Sequence, residues 1–194
     1  MGWSCALRSA RIALVKRLLL DIGITILIAL AVFCLLRVCL QGYMVRGSCM
    51  LPGIENQDWV MVSKAAYFFS GPHHGDVVIV QPPFQTEHPF IKRVIALSGD
   101  TIEVKEGKVY LNGTPLTEPY IAEPPRYTLP AQVIPEGEYF VLGDNRNNAD
   151  DSHMWGTVPG ENIIGKVWFI YWPPEHWRVE GDYNYPELAN ASVG

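Results

Sequence analysis

The sequence predicts a mainly β protein, in which one transmembrane helix near the N-terminus precedes an antiparallel β-sheet domain. Three observations predict this fold class. Residues 18–40 form one long apolar run, short alternating or β-branched runs follow it, and no extended helical period is visible after residue 41. Antiparallel sheets of this kind close their edges by bending or by packing two sheets together.

Composition is consistent with one globular domain that carries an appendage. The chain has 194 residues, 48% of them hydrophobic, which is enough for a sizeable core. The net charge is -5, and the positive charges form no stripe or cluster in the β-rich part. Nucleic acid is therefore not expected as a partner.

The apolar run from Leu18 to Leu40 contains only two charged residues, Asp21 and Arg37, and both lie near its ends. Its 23 residues would extend about 34 Å as a helix, against a hydrocarbon core of about 30 Å. A cleavable signal peptide is the alternative, but its apolar segment is usually about 7–15 residues long and is followed by a small-x-small site. The pattern favours an uncleaved anchor.

Four basic residues and no acidic residue precede this run: Arg8, Arg11, Lys16 and Arg17. The positive-inside rule then places the N-terminus in the cytoplasm. The expected organisation is a cytoplasmic segment 1–17, a single-pass anchor 18–40, a catalytic domain 41–178 and a polar tail 179–194. The domain is expected on the outer side of the membrane, whether periplasmic, extracellular or lumenal.

Seven runs after the anchor have the alternation or β-branched content of strands, and Gly, Asn and Pro turn signals separate them. They are residues 59–62, 76–80, 90–97, 101–104, 108–111, 138–142 and 163–171. The segment 117–135 contains five prolines, which cannot sit in central strands, and is expected to be a long loop or an extended excursion. The tail beyond Glu180 is expected to be loose.

Lys92 stands inside the apolar run from Phe90 to Leu97. A charged lysine is costly to bury, so a lysine in such a run is either paired or used as a neutral base. Cys49 is the only cysteine after the anchor, since Cys5, Cys34 and Cys39 lie in or before it. A disulfide framework is thereby excluded for the outer domain, where a lone cysteine is a liability unless it is buried or used.

Four ordered segments carry a resemblance to a known family. They are residues 47–52 (GSCMLP), 75–78 (GDVV), 91–100 (IKRVIALSGD) and 143–156 (GDNRNNADDSHMWG). Together they resemble type I signal peptidase, the serine/lysine-dyad leader peptidase family, from the anchor to about residue 174. The resemblance implies a membrane-bound hydrolase of protein secretion, a protease that removes signal peptides after small residues of the Ala-x-Ala type.

The resemblance also implies roles for individual residues. Lys92 takes the position of the general base and Cys49 that of the nucleophilic serine. The oxyanion and substrate-binding positions are Gly47, Ser48, Met50 and Pro52. The positions of structural support behind the site are Arg93, Asp144, Asn145, Arg146, Ala149, Asp151 and Ser152. Arg93 is the expected partner of Asp144.

Three departures from the family pattern bear on the chemistry of the site. Cys49 replaces the serine, Gly47 replaces a serine or threonine whose hydroxyl helps to hold the oxyanion in many members, and Ala149 replaces a serine that orients the lysine. A thiol ionises more readily than a hydroxyl, so a cysteine nucleophile is chemically feasible. A larger sulfur in a site shaped for oxygen can also silence it, which leaves a catalytically impaired paralogue that binds exported or membrane proteins as the alternative.

Other assignments of the site are weaker. Ser48 is a second candidate nucleophile, but neighbours on a strand point to opposite faces. A self-cleaving repressor-type protease shares the dyad, yet the anchor and the lack of a DNA-binding segment argue against it. The histidines fit no standard metal spacing, and His153 is expected to pair with Asp151. No cofactor is expected, and the expected partners are preprotein signal peptides, the lipid bilayer and the export machinery.

Overall fold

A computed structural model describes residues 3–180 and 183–191 of the chain, which divides into two compact units between Cys39 and Leu40. The first unit is one helix, α1, from Trp3 to Cys39. Within it, Lys16–Cys39 has a mean hydropathy of 2.7 over 24 residues, about 36 Å of helix. Side chains such as Leu19 and Leu27 are exposed and not packed in a protein core. This helix fits the predicted membrane anchor by length and composition.

The second unit is built of antiparallel strands, twelve of them within the described residues. They are β1 Leu40–Met44, β2 Trp59–Ser63, β3 Val77–Val80, β4 Phe90–Ala96, β5 Thr101–Lys105, β6 Lys108–Leu111, β7 Thr114–Pro115, β8 Leu129–Val133, β9 Glu138–Leu142, β10 Val158–Pro159, β11 Ile163–Trp172 and β12 Arg178–Val179. Two short helices accompany them, α2 Ser152–Trp155 and α3 Pro186–Ala191. The predicted fold class is confirmed.

The strands form a large sheet and a small sheet. The large sheet has the order β1-β2-β11-β3-β4-β9-β10, with β12 beside β11, and the small sheet has the order β7-β6-β5-β8. Strand β4 lies in the interior of the large sheet, where it pairs with β3 through Val78↔Lys92 and with β9 through Arg93↔Leu142. The strand that carries Lys92 and Arg93 is therefore hydrogen-bonded to a neighbouring strand on each side.

The apolar residues of the second unit form three buried clusters. One of them lies beneath the candidate site and receives Cys49 at its margin; its buried members are Val45, Met50, Ile54, Val60, Val62, Val77, Ile79, Ile91, Val167 and Ile170. A second cluster joins the small sheet to Phe140, Leu142 and Tyr185. The third is made mainly of valines from β3, β4, β9 and β10.

The segment 117–135, expected to be a long loop or an extended excursion, contains one strand in its C-terminal part. Residues Leu129–Val133 form β8, which pairs with β5 through Thr101↔Val133. Pro130 is tolerated because β8 is the edge strand of the small sheet, where one side of the strand needs no ladder partner.

The expectation of a loose tail is also wrong for the described residues 183–188. Tyr185 is 4% exposed and belongs to the second cluster, against which Tyr183 and Leu188 also pack. The Tyr185 and Tyr120 hydroxyls lie 2.6 Å apart. Aromatic side chains hold this segment although its composition is polar. Residues 181–182 and 192–194 of the predicted tail lie outside the described residues.

Candidate active site

Cys49 lies in the turn between β1 and β2, and buried neighbours hold that turn. Met50 is 0% exposed in the cluster beneath the site, and its carbonyl accepts a hydrogen bond of 2.9 Å from the backbone N–H of Ile54. The half-buried Cys49 thiol donates a weak hydrogen bond to the carbonyl of Ile91 at 3.5 Å. Among the described residues, the backbone N–H of Cys49 donates no hydrogen bond. That N–H remains available to a bound group.

Lys92 lies on β4 and is 2% exposed. Its Nζ is 5.3 Å from the ring centroid of Phe90, and no carboxylate or hydrogen-bond acceptor of the described residues contacts it. Lys166 shows the contrast, because its Nζ lies 2.9 Å from the buried Asp76 carboxylate. Burying an ammonium without such a partner is costly, so Lys92 is an unusual lysine in this fold.

Cys49 and Lys92 line the same cavity, of about 620 Å³. This volume lies within the range of about 300–1,000 Å³ typical of ligand sites. Of the other predicted residues, Gly47 and Ser48 also line it. Sequence reasoning did not assign Asn148 to the site and considered Asp150 only for metal binding, yet both residues line the cavity.

Met50 and Pro52 are not among the cavity-lining residues. Met50 instead fills the core beneath the turn, so the structure gives it a packing role and not the substrate-binding role expected from the sequence. Gly47 does line the cavity, with a φ of +91° that favours glycine over any residue with a side chain. Its backbone N–H donates to Asn56 Oδ1 at 2.9 Å, which secures the entry to the turn.

Three hydrogen bonds join the loop after β9 to the Cys49 turn. The backbone N–H of Asn145 donates to the Cys49 carbonyl at 3.0 Å, and Asn145 Nδ2 donates to the Ser48 carbonyl at 3.0 Å. Asn148 Nδ2 donates to Ser48 Oγ at 3.1 Å. These bonds fix where residue 49 sits without using its side chain.

Gly143 allows this loop and the turn to approach closely. A Cβ at Gly143 would lie 2.6 Å from the Cys49 carbonyl oxygen and 2.5 Å from the Cβ of Ala149. Ala149 itself is 7% exposed. Only glycine fits at position 143 without moving one of these groups.

The predicted pair of Arg93 with Asp144 is present. Arg93 Nε and one terminal nitrogen donate to the two Asp144 oxygens at 2.9 and 2.7 Å, while the other terminal nitrogen donates to the Gly75 carbonyl at 2.9 Å. Burial alone would lower the pKa of Arg93, but the paired Asp144 raises it above its ordinary value. Since neighbours on a strand face opposite sides, β4 presents Lys92 to the cavity and Arg93 to this buried pair.

Arg146 forms a second buried ion pair, with a partner that sequence reasoning missed. Its terminal nitrogens donate to the two Glu118 carboxylate oxygens at 2.8 and 2.5 Å, and its Nε donates to the Gly143 carbonyl at 3.1 Å. Tyr120 stacks on Arg93, with the guanidinium carbon 4.1 Å from the ring centroid. Glu118 and Tyr120 come from the proline-rich segment, in which composition gives no signal for ion pairing.

Asp151 closes the loop at its far end. Its Oδ2 accepts from the Gly143 N–H at 2.9 Å, and its Oδ1 lies 2.6 Å from His153 Nδ1, the pairing expected from the sequence. Ser152 Oγ accepts from the backbone N–H of Val141 at 3.1 Å. Asp151 and Ser152 thus hold the end of β9 and the loop that follows it, and neither residue lines the cavity.

Comparisons with known proteins agree on one family. The family described as "Signal peptidase, peptidase S26" matches residues 16–172. A "Probable signal peptidase I-1" of Synechocystis is 46% identical over 143 residues, 70% of this chain and 73% of that protein. A signal peptidase I of Leptolyngbya laminosa is 39% identical over 159 residues, 78% of this chain and 77% of that protein. A solved signal peptidase I of Enterococcus faecalis has 31% identity and a TM-score of 0.45, covering 50% of this chain and 96% of that one.

Proposed function

Because the chain belongs to the signal peptidase family, peptidase S26, we propose that it is a membrane-anchored endopeptidase that removes signal peptides from exported preproteins after small residues of the Ala-x-Ala type. One observation carries the assignment of the site: Cys49 lines the same cavity as Lys92, which is buried and has no hydrogen-bond or ion-pair partner among the described residues. The bilayer would hold α1, with the basic N-terminus in the cytoplasm and the β-rich unit on the outer side.

In this proposal Lys92 is the general base. The amine lies on the apolar strand β4 and contacts no carboxylate of the described residues, so it is available to act on the Cys49 thiol. Lys92 takes the proton of the Cys49 thiol as Sγ attacks the carbonyl carbon of the scissile bond. The amine of the mature chain leaves with that proton, and water then releases the signal peptide from the thioester.

The backbone N–H of Cys49 is the proposed donor to the oxyanion. It makes no hydrogen bond within the described residues, and the turn that carries it is fixed by Asn145. A donor held in place before the substrate binds costs no reorganisation during the reaction, and one such donor contributes about 3 kcal/mol of transition-state stabilisation. Gly47 has no hydroxyl to add a second donor.

The test is cleavage of a model Ala-x-Ala preprotein by the full chain in detergent. We expect the wild type to cleave, and Cys49→Ala and Lys92→Ala to lose activity. The matched control, Lys108→Ala at an exposed position of β6, should retain it, and Ser48→Ala tests the second candidate nucleophile. Loss in Ser48→Ala with retention in Cys49→Ala would assign the nucleophile to Ser48 instead.

A binding paralogue without peptidase activity is the second candidate, favoured by the cysteine in the nucleophile position. Thiol alkylation separates the two, because an activated thiol reacts faster than an inert one. We expect Cys49 to be alkylated faster than Cys34 and Cys39, and Lys92→Ala to slow that reaction. Slow alkylation of Cys49 that is indifferent to Lys92, together with no cleavage, would favour the binding paralogue.

Sidedness and partners follow from the same proposal. The substrates would be preprotein signal peptides delivered by the export machinery, and cleavage would occur at the outer membrane face. Protease protection in sealed vesicles measures this directly: the β-rich unit should be digested from the outer side, whereas residues 1–17 should be cut only after the vesicles are opened.

A further inference from the structure

Cys49 and Lys92 make a site whose covalent intermediate is a thioester. The thiol is half buried, and Lys92, 2% exposed and without a hydrogen-bond or ion-pair partner among the described residues, lines the same cavity. We infer that this site also transfers the acyl group of a cleaved preprotein to a small primary amine, so that an amide forms in place of a free carboxylate. The inference rests on the proposed endopeptidase function and adds to water a second acceptor of the acyl group, a small amine.

The transfer reaction balances without any further reactant. Sγ of Cys49 attacks the scissile carbonyl carbon, the C–N bond breaks, and the mature chain leaves as an amine that has received the thiol proton through Lys92. The nitrogen of the acceptor amine then attacks the thioester carbonyl and the C–S bond breaks. One proton of the acceptor returns to Sγ through Lys92, and the products are an amide and the original thiol.

The thioester favours amines over water for two reasons. Sulfur donates less electron density to the carbonyl than an ester oxygen does, so a thioester reacts readily with nitrogen nucleophiles. Water must also lose a proton as it attacks, whereas a neutral amine attacks with its own lone pair. Hydrolysis therefore depends more than transfer does on a well-positioned base.

Lys92 is a base without a residue that orients it. A catalytic base is normally held by a third group, but no described side chain or backbone group hydrogen-bonds to Lys92 Nζ. The ring of Phe90 has its centroid 5.3 Å from Lys92 Nζ, but an aromatic ring does not fix the direction of the amine's lone pair. Loose positioning of the base slows attack by water more than attack by an amine, which lengthens the life of the thioester.

The cavity offers room for the acceptor. The mature chain must leave as an amine through the space beside Cys49, and a space that releases an amine also admits one, by microscopic reversibility. The cavity has a volume of about 620 Å³, and Ile79, Ile91 and Asn148 are among the residues that line it. A small amine fits this volume beside the bound acyl segment.

The experiment uses the full chain in detergent, a model preprotein and glycinamide as the acceptor amine, slightly above neutral pH. Mass spectrometry measures how much released signal peptide ends in glycinamide and how much ends in a free carboxylate. We expect the ratio of amide to carboxylate to be about tenfold higher for the wild type than for Cys49→Ser, a barrier difference of about 1.4 kcal/mol. Cys49→Ala should form neither product, and the control Cys34→Ala should match the wild type.

The outcomes separate the two proposals. Cleavage by the wild type with only the carboxylate product, or with an amide fraction equal to that of Cys49→Ser, overturns the transfer reaction and leaves the endopeptidase in place. Cleavage by Cys49→Ser alone overturns the transfer reaction as well. Absence of cleavage by both forms overturns the proposed function, and the transfer reaction with it.

Discussion

Replacing Gly143 with alanine tests whether the loop after β9 sets the position of Cys49. The new Cβ would lie 2.6 Å from the Cys49 carbonyl oxygen, where an ordinary contact needs about 3.4 Å. The turn or the loop must therefore move by about 0.8 Å. Displacements on the order of 1 Å can lower activity by about 100-fold. We expect kcat/KM for preprotein cleavage to fall by about that factor, and the free energy of unfolding to fall by about 1–3 kcal/mol.

Gly53→Ala is the matched control, because Gly53 lies on the same turn, but its Cβ would meet no atom closer than 3.6 Å. It should leave cleavage and the alkylation rate of Cys49 close to wild type. Adding Ala149→Gly to Gly143→Ala removes the 2.5 Å contact with Ala149 and leaves the 2.6 Å contact with Cys49, so it should restore stability more than activity. Full activity of Gly143→Ala, or an equal loss in Gly53→Ala, would refute the reasoning.

Three further predictions concern the frame around the site. Arg93→Met leaves the buried Asp144 carboxylate without its ion-pair partner and should lower the free energy of unfolding, measured by urea titration, by about 3–5 kcal/mol. Adding Asp144→Leu removes the unpaired charge and should recover part of that loss. A loss below about 1 kcal/mol in Arg93→Met would contradict the reasoning. The hydrogen bond that His176 donates to the Asp58 carboxylate raises the pKa of His176. This pair therefore stabilises the fold below about pH 6.5, and the contribution is lost as pH rises through the raised pKa. His176→Gln should therefore lower the thermal midpoint at about pH 5 and not at about pH 9; an equal effect at both would refute the linkage. Tyr185→Ala should cost about 3 kcal/mol of stability because its ring is 4% exposed, whereas a truly loose tail would show no change.

The strands could be predicted from the sequence because their signal is local. Alternation and β-branched runs located seven strands to within a residue or two, among them β4 at Phe90–Ala96. The short strand β8 was missed because Pro130 argues against a central strand, and the sequence does not reveal which strands are edges. Tyr185 was missed because its burial depends on the second cluster, which is assembled from distant parts of the chain.

The residues of the candidate site likewise differ in whether a local sequence signal reveals them. Lys92 and Cys49 could be singled out because a lysine in an apolar strand and a lone cysteine are each unusual for their surroundings. The Glu118 partner of Arg146 could not, because the two residues are 28 positions apart and only the folded loop brings them together. Met50 was placed in the substrate site by its neighbourhood in the sequence, whereas its full burial shows that it supports the turn from below.

The structure also explains why a cysteine can occupy position 49 without changing the frame. The contacts that place this residue are made by backbone atoms: the Cys49 carbonyl accepts from Asn145, and the close approach at Gly143 involves the same oxygen. The thiol adds a weak hydrogen bond of 3.5 Å to the Ile91 carbonyl, and Cys49 packs only at the margin of the cluster beneath the turn. Exchanging sulfur for oxygen should therefore change the chemistry of the site and leave its architecture alone. Cys49→Ser is expected to unfold at the wild-type temperature, and a large shift would show that the thiol is part of the packing as well as the proposed nucleophile.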